Sequence, residues 1–182
     1  MKEIADLLTR YASEGKRILV LSHFQADPDG VGSSVVLSEV LRKLGAKAEA
    51  GAPEGISKLT QLLLEGVKKE VNTSPSLNAD LVVMVDTSSF GHLGKLGEEL
   101  ERRKSEVVLL DHHKEVEGMR NKVRLFYVDE NTTSSAELVL RLTREMGVEL
   151  TPDQAFLLLA GIVTDTGGLK FARNSTFEAI YE

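Results

Sequence analysis

The sequence predicts an α/β fold in which a mostly parallel sheet carries helices on both faces. Short runs of Val, Ile and Leu alternate with longer amphipathic segments along the 182 residues, which is the pattern of strand–helix–strand units. Several apolar runs also end in an acidic residue or a histidine, as at Asp86 and Asp111. Because open α/β sheets hold their ligands at the carboxyl ends of the strands, we expect a metal site at that edge of the sheet.

Five short runs are predicted to be strands because apolar and β-branched residues follow one another in them. Their lengths of four to six residues suit buried strands. The second run is the least apolar, since it contains Lys47 and Glu49. In chain order the predicted strands are residues 18–21, 47–50, 81–85, 107–110 and 123–128.

Helices are predicted where apolar residues recur three and four positions apart. Gly15 is a stop signal for the first helix. Ser134 with Glu137 resembles a capping box, and Thr151 is a favourable N-cap residue. In chain order the predicted helices cover residues 4–11, 31–44, 59–67, 93–104, 134–146, 151–163 and 174–182.

Histidine and aspartate residues cluster where these elements end. Imidazole and carboxylate groups are suitable ligands for a hard-to-borderline divalent metal such as Mn²⁺. Three clusters follow predicted strands and can therefore meet at one edge of the sheet, while a fourth follows a predicted helix and can close the site. The candidate ligands and their neighbours are His23, Asp27, Asp29, Asp86, Asp111, His112, His113 and Asp165.

Composition restricts the function further. The chain has no cysteine, which excludes disulfides and thiolate metal sites. It shows no signal peptide and no apolar stretch long enough to span a bilayer, so a cytoplasmic protein without membrane contacts is expected. The net charge of -6 argues against a wide basic surface for duplex nucleic acid, and the absence of Trp argues against an extended base-stacking platform. A small phosphate ester bound through metal ions is compatible with both.

With these clusters in view, the chain resembles the DHH phosphoesterase family, and within it the branch of nanoRNases and 3′,5′-bisphosphate nucleotidases. The resembling segments are residues 23–34 (HFQADPDGVGSS), 85–88 (VDTS), 111–113 (DHH), 133–138 (TSSAEL) and 161–167 (GIVTDTG). The resemblance implies two divalent ions, with Mn²⁺ expected and Mg²⁺ or Co²⁺ as alternatives. It assigns His23, Asp27 and Asp86 to one ion. It assigns Asp29, Asp86, His112 and Asp165 to the other, so that Asp86 bridges the pair.

The same resemblance implies an activity. A water activated by the two ions would attack phosphorus, and His113 would donate a hydrogen bond or a proton to the leaving oxygen. Asp111 could orient a histidine, although a turn-capping aspartate is an equal alternative. Gly168 stands where the nanoRNase branch often has an arginine, so Arg173 is the candidate contact for substrate phosphate. His92 is interpreted as a loop residue without a ligand role.

The implied function is a phosphohydrolase for short nucleotide phosphodiesters, such as oligoribonucleotides and cyclic or linear dinucleotides, or for 3′-phosphorylated nucleotides. The alternatives are an inorganic pyrophosphatase or polyphosphatase and a non-catalytic nucleotide-binding module. The expected partners are a small nucleotide or short single-stranded RNA or DNA, with a homodimer as an option. Residues 1–182 are interpreted as the DHH catalytic domain. The C-terminal substrate-binding domain of the family has no counterpart in the sequence, and residues 174–182 are interpreted as the start of a helix leading toward it.

Overall fold

A computed structural model describes residues 1–103 and 106–182, and its centre is a five-stranded parallel sheet. The strands lie side by side in the order β2-β1-β3-β4-β5, and every neighbouring pair is parallel. The predicted α/β fold is therefore confirmed, with a sheet that is wholly parallel. The strands are β1 (Arg17–Leu21), β2 (Lys47–Gly51), β3 (Leu81–Val85), β4 (Val107–Asp111) and β5 (Leu125–Val128).

Helices connect the strands and cover the sheet. They are α1 (Lys2–Ser13), α2 (Pro28–Lys43), α3 (Lys58–Val67), α4 (Gly94–Arg103), α5 (Ser135–Glu145), α6 (Pro152–Asp165) and α7 (Asn174–Tyr181). Short 3₁₀ turns lie at Phe90–Leu93 and Met119–Asn121. The helix predicted at 93–104 is thus preceded by a 3₁₀ turn and begins at Gly94, while its last residue, Lys104, lies outside the described residues. In the part of the chain that the structure describes, no helix is long and apolar enough to cross a membrane.

Side chains of β1, β3, β4 and β5 alternate between two apolar clusters, one on each face of the sheet, whereas Lys47 and Glu49 of β2 are exposed. On β3, Val83 and Val85 belong to a cluster with residues of α1, α2, α5 and α6, whereas Val82 and Met84 belong to a cluster with α4 and the 3₁₀ turn at Phe90–Leu93. All five residues of β3 are buried. This two-sided burial explains why the strands are continuous apolar runs in the sequence.

Close contact between α2 and α6 brings the end of α6 to the sheet edge. A Cβ atom added at Gly32 would lie 2.8 Å from the backbone oxygen of Leu157, and one added at Gly161 would lie 2.8 Å from Asp29 Oδ1. Any side chain at either position would push the two helices apart. The two glycines therefore allow Asp165, the last residue of α6, to lie beside residues that follow the strands.

The order in which the chain adds strands to the sheet reverses after β2. The connection from β1 leads to β2 on one side, and the chain then returns to β3 on the other side of β1. Such a switch point leaves a crevice between the carboxyl ends of β1 and β3, where α/β proteins bind ligands.

Candidate metal centre

The loop after β1 carries the first pair of candidate ligands. His23 Nδ1 lies 2.9 Å from the carbonyl oxygen of Phe24. The other ring nitrogen, Nε2, lies 3.8 Å from Asp27 Oδ1 and 3.5 Å from Asp86 Oδ2. Asp27 is also the N-cap of α2, because its carboxylate accepts two backbone N–H bonds from the first turn at 3.0 and 3.1 Å. His23, Asp27 and Asp86 form one group of donor atoms close enough to hold a metal ion.

Asp29 is fully buried and is held by the N-terminus of α5. Its two carboxylate oxygens accept the backbone N–H groups of Ser135 at 2.7 Å and Ala136 at 2.9 Å. A helix N-terminus is a favourable place for an anion. Burial nevertheless raises the pKa of Asp29 well above its ordinary value, and the negative charges of Asp86 and Asp165 raise it further. Cations next to this group would relieve that penalty.

Asp86 lies between the two candidate sites. It follows β3 with a φ of +55°, which is unusual for a residue other than glycine and indicates local strain at a functional position. Its carboxylate oxygens lie 3.5 Å from Nε2 of both His23 and His112, and Oδ1 accepts a bond from Ser135 Oγ at 3.2 Å. Burial opposes ionisation, but the two histidines outweigh it and hold the pKa of Asp86 below its usual range. An ionised carboxylate in this position can bridge two ions.

His112 provides a test of whether the residues fit a metal. Its Nε2 atom is 3.0 Å from Asp165 Oδ2, 3.5 Å from Asp86 Oδ1 and 3.9 Å from Asp29 Oδ2, yet it is buried and makes no well-oriented hydrogen bond. Buried polar atoms are nearly always paired, so an unpaired ring nitrogen facing three carboxylates suits a ligand atom. Burial lowers the pKa of His112, but the carboxylates outweigh it and raise the value to about 10. The donor set therefore fits a divalent ion of borderline hardness.

Asp111 holds the ring of His113. Asp111 is fully buried, and its Oδ1 accepts the backbone N–H groups of His112 at 2.8 Å and His113 at 3.3 Å. The same oxygen lies 2.9 Å from His113 Nδ1. This hydrogen bond raises the pKa of His113, although partial burial opposes the shift. Asp111 thus caps the turn and orients a histidine at once, and it leaves Nε2 of His113 free for other contacts.

Five of the candidate residues line a cavity of about 330 Å³, whereas Asp29, Asp111 and His112 lie outside its lining. His92, interpreted above as a loop residue without a ligand role, lines this cavity, and its carbonyl oxygen accepts the backbone N–H of Phe24 at 2.8 Å. Arg173, the predicted phosphate contact, is not part of this lining and donates instead to the carbonyl oxygen of Glu130 at 2.8 Å. Its role stays a prediction. The described residues that line the cavity are His23, Phe24, Asp27, Asp86, His92, His113 and Asp165.

Phe24 and Ser135 are the residues that sequence reasoning missed. Phe24 directly follows a candidate ligand, and an aromatic residue in an otherwise polar loop is the only signal that could have identified it. Ser135 lies within a segment noted for its resemblance to the family, but its contacts with Asp29 and Asp86 span more than forty positions of the chain.

A larger cavity of about 570 Å³ lies between α5, α6 and α7, and the described residues around it include neither aspartate nor histidine.

Comparison with known proteins agrees with this geometry. Residues 17–162 match the profile of the DHH family, N-terminal domain. A probable manganese-dependent inorganic pyrophosphatase of Exiguobacterium sp. is 30% identical over 82% of this chain and 48% of its own length. A cyclic-di-AMP phosphodiesterase of Geobacillus thermodenitrificans is 28% identical over 97% of this chain and 29% of its own length. The chain spans about half the length, or less, of the curated relatives that it matches.

Solved structures share the fold. An exopolyphosphatase-related protein from Bacteroides fragilis superposes on the whole of this chain with a TM-score of 0.83, at 20% sequence identity. The match covers 56% of that protein. At this level of identity the likeness concerns the arrangement of strands and helices.

Proposed function

This chain belongs to the DHH family, and we propose that it is a binuclear-metal phosphoesterase in which residues 1–182 act as the catalytic domain. The observation that carries the proposal is that donor groups meet at Asp86, whose carboxylate oxygens lie 3.5 Å from Nε2 of both His23 and His112. One group comprises His23, Asp27 and Asp86, and a second comprises Asp29, His112 and Asp165; a third, Asp86, Asp111, His112 and His113, overlaps both ion sites of the proposal. Two divalent ions, with Mn²⁺ favoured by the manganese-dependent relative, would supply an acidified water and positive charge for the phosphoryl oxygens.

The protein's own groups prepare the site for this chemistry. The hydrogen bonds to Asp29 and Asp86 fix the direction of their remaining lone pairs, which reduces the reorganisation needed on binding. His113 is held by Asp111 at Nδ1, so that Nε2 can donate a hydrogen bond or a proton to the leaving oxygen. The hydrogen bond to Asp111 raises the pKa of His113, which favours the protonated ring.

The proposed substrates are short nucleotide phosphodiesters or 3′-phosphorylated nucleotides. The similarity to a cyclic-di-AMP phosphodiesterase supports the nucleotide class, and the similarity to a pyrophosphatase supports the alternative. A purified, Mn²⁺-loaded protein should be assayed with a dinucleotide, a 3′,5′-bisphosphate nucleotide, pyrophosphate and a single-stranded oligomer. We expect turnover of the nucleotide substrates, and a protein that binds them without turnover would be a binding module instead.

Metal content tests the binuclear assignment separately from activity. Elemental analysis after loading and desalting should find close to two Mn²⁺ per chain. Asp86→Ala should lose both ions, whereas His23→Ala should spare the second site better. His92→Ala is a matched control, because this histidine lines the cavity outside all three donor groups and should leave the count at two. A wild-type count of one or zero at saturating metal would contradict the proposal.

A further inference from the structure

An aromatic side chain stands at the mouth of the candidate metal centre. Phe24 lines the cavity next to His23, and 41% of its surface is exposed. The surrounding lining consists of aspartate and histidine side chains. Ligand pockets combine aromatic walls with a few polar groups, and Phe24 offers such a wall to the apolar part of a ligand.

The backbone holds Phe24 in a fixed position. Its N–H donates to the carbonyl oxygen of His92 at 2.8 Å, and its own carbonyl oxygen contacts His23 Nδ1 at 2.9 Å. Two residues later, Ala26 pairs with Ile56 and donates its N–H to the carbonyl oxygen of Gly55 at 3.3 Å. The loop is therefore tied down on both sides of Phe24. A contact surface that is already ordered loses little conformational entropy when a ligand binds.

The charged side chains that line the cavity restrict the net charge of the ligand. Its described lining includes three aspartates and three histidines but neither lysine nor arginine. Inorganic pyrophosphate and polyphosphate carry several negative charges and offer no apolar surface. A phosphodiester between nucleosides carries a single negative charge at phosphorus and presents aromatic bases beside it. Beyond the charge of the two proposed divalent ions, the lining supplies no cation for additional phosphate groups, so it favours an ester of low charge with an attached ring.

We propose that Phe24 stacks on a nucleobase of the substrate, so that the site selects nucleotide esters over inorganic pyrophosphate and polyphosphate. This inference rests on the proposed phosphoesterase function and names the substrate class of the same site. Base–aromatic stacking tolerates different bases, because every base has a π-face. Phe24 would thus provide affinity for nucleotides without selecting one base strongly.

A fluorescence experiment tests the contact directly. The chain contains no tryptophan, so Phe24→Trp introduces a single indole at the cavity mouth. The Mn²⁺-loaded variant should lose fluorescence in a saturable manner on titration with guanosine 5′-monophosphate. Ribose 5-phosphate, which has the phosphate but no base, should leave the signal unchanged. Phe177→Trp is the matched control, since Phe177 is exposed on α7 outside the cavity and its indole should respond to neither ligand.

Steady-state kinetics test how much the stacking contact of Phe24 contributes to substrate binding. Phe24→Ala should keep two metal ions per chain and lower kcat/KM for a dinucleotide between roughly fivefold and a hundredfold, mainly through KM. Phe24→Tyr should restore most of the loss because it retains an aromatic face, whereas Phe24→Leu should not. Unchanged kcat/KM in Phe24→Ala, or quenching by ribose 5-phosphate equal to that by the nucleotide, would overturn the stacking contact.

Other results separate this inference from the function on which it rests. A wild-type protein that hydrolyses pyrophosphate more efficiently than the dinucleotide would overturn the substrate class but leave a metal-dependent phosphohydrolase. A wild-type protein that binds no metal would contradict the proposed function. In that case the response of Phe24→Trp to the nucleotide would still decide whether this cavity binds a base.

Discussion

The carboxylates of the candidate metal centre differ in how much of the fold depends on them. Asp29 is completely buried and accepts two backbone N–H bonds from α5. Asp165 lies at the end of α6 with about a fifth of its side chain exposed, and its closest polar contact is His112. Asp29 therefore holds the N-terminus of α5 in place, whereas the fold depends little on Asp165.

We expect this difference to be visible in the metal-free protein. Asp29→Ala leaves two buried amides without an acceptor and should lower the free energy of unfolding by about 1–3 kcal/mol. Asp165→Ala removes one negative charge from a crowded group of carboxylates and should change stability little. Denaturant unfolding in a chelating buffer measures both effects. Equal losses in the two variants would contradict the structural role assigned to the Asp29 carboxylate.

His113 is expected to act on the substrate and not on the metals. His113→Ala should retain close to two Mn²⁺ per chain and lose turnover, since positioned proton transfer is typically worth about 10²–10⁴-fold in rate. The measurements are metal content and kcat for a dinucleotide on the same protein sample. Wild-type turnover, or loss of the metals together with activity, would show that the role is wrong.

At the scale of single elements, a buried hydroxyl of α7 bonds to α5, beside the ion pair of Arg144 with Glu182. Thr176 Oγ1 donates to Glu137 Oε1 at 3.1 Å and accepts the backbone N–H of Arg173 at 3.0 Å. It also lies 2.8 Å from the hydroxyl of Thr133, and its side chain is fully buried. An eight-residue helix has little stability of its own, so these contacts hold it in place.

Replacing that hydroxyl should loosen the helix. Thr176→Val keeps the shape but leaves Glu137 and a backbone N–H short of a partner, which should cost about 1–3 kcal/mol of unfolding free energy. The neighbouring Ser175 is the control, because its buried hydroxyl has no hydrogen-bond partner and Ser175→Ala should be neutral or slightly stabilising. Thermal or denaturant unfolding distinguishes the two. Identical stabilities would mean that α7 is held by other contacts.

The sequence predicted elements well where a local pattern determines them. The carboxyl ends of β1 and β3 were predicted correctly because uninterrupted apolar runs mark strands that are buried on both faces. The start of α2 was predicted at Val31 but lies at Pro28, since Asp27, interpreted as a metal ligand, also caps the helix. The capping box at Ser134 is only half present. Ser134 caps the backbone of Glu137, but the carboxylate of Glu137 accepts from Thr133, one residue before the cap, and from Thr176 of α7, a contact that no local pattern reveals.

At the scale of the whole molecule, the candidate site connects elements that are far apart in the sequence. It joins the carboxyl ends of β1, β3 and β4 to the N-termini of α2 and α5 and the end of α6. The ligand candidates could be predicted, because polar residues at strand ends must share one edge of a parallel sheet. The place of Phe24 in the cavity lining could not, because it depends on how the 3₁₀ turn that contains His92 packs against the first loop.

Metal binding should therefore stabilise the entire fold, and more strongly at high pH. Burial alone would lower the pKa of His23 and His112, but the carboxylates outweigh it and raise both to about 10 in the metal-free protein. That contribution to stability is complete below the ordinary value of 6.5 and is lost as the pH rises through about 10. A ligating imidazole must be neutral, so Mn²⁺ displaces these protons and its affinity increases with pH.

At a hundredfold excess of Mn²⁺ over Kd, each metal site should add about 2.7 kcal/mol to the free energy of unfolding, or roughly 5–11 °C in Tm. Thermal unfolding with and without Mn²⁺ should show a larger increase at pH 8 than at pH 6, and Asp86→Ala should show none. Equal increases at both pH values would contradict the displacement of protons by the metal.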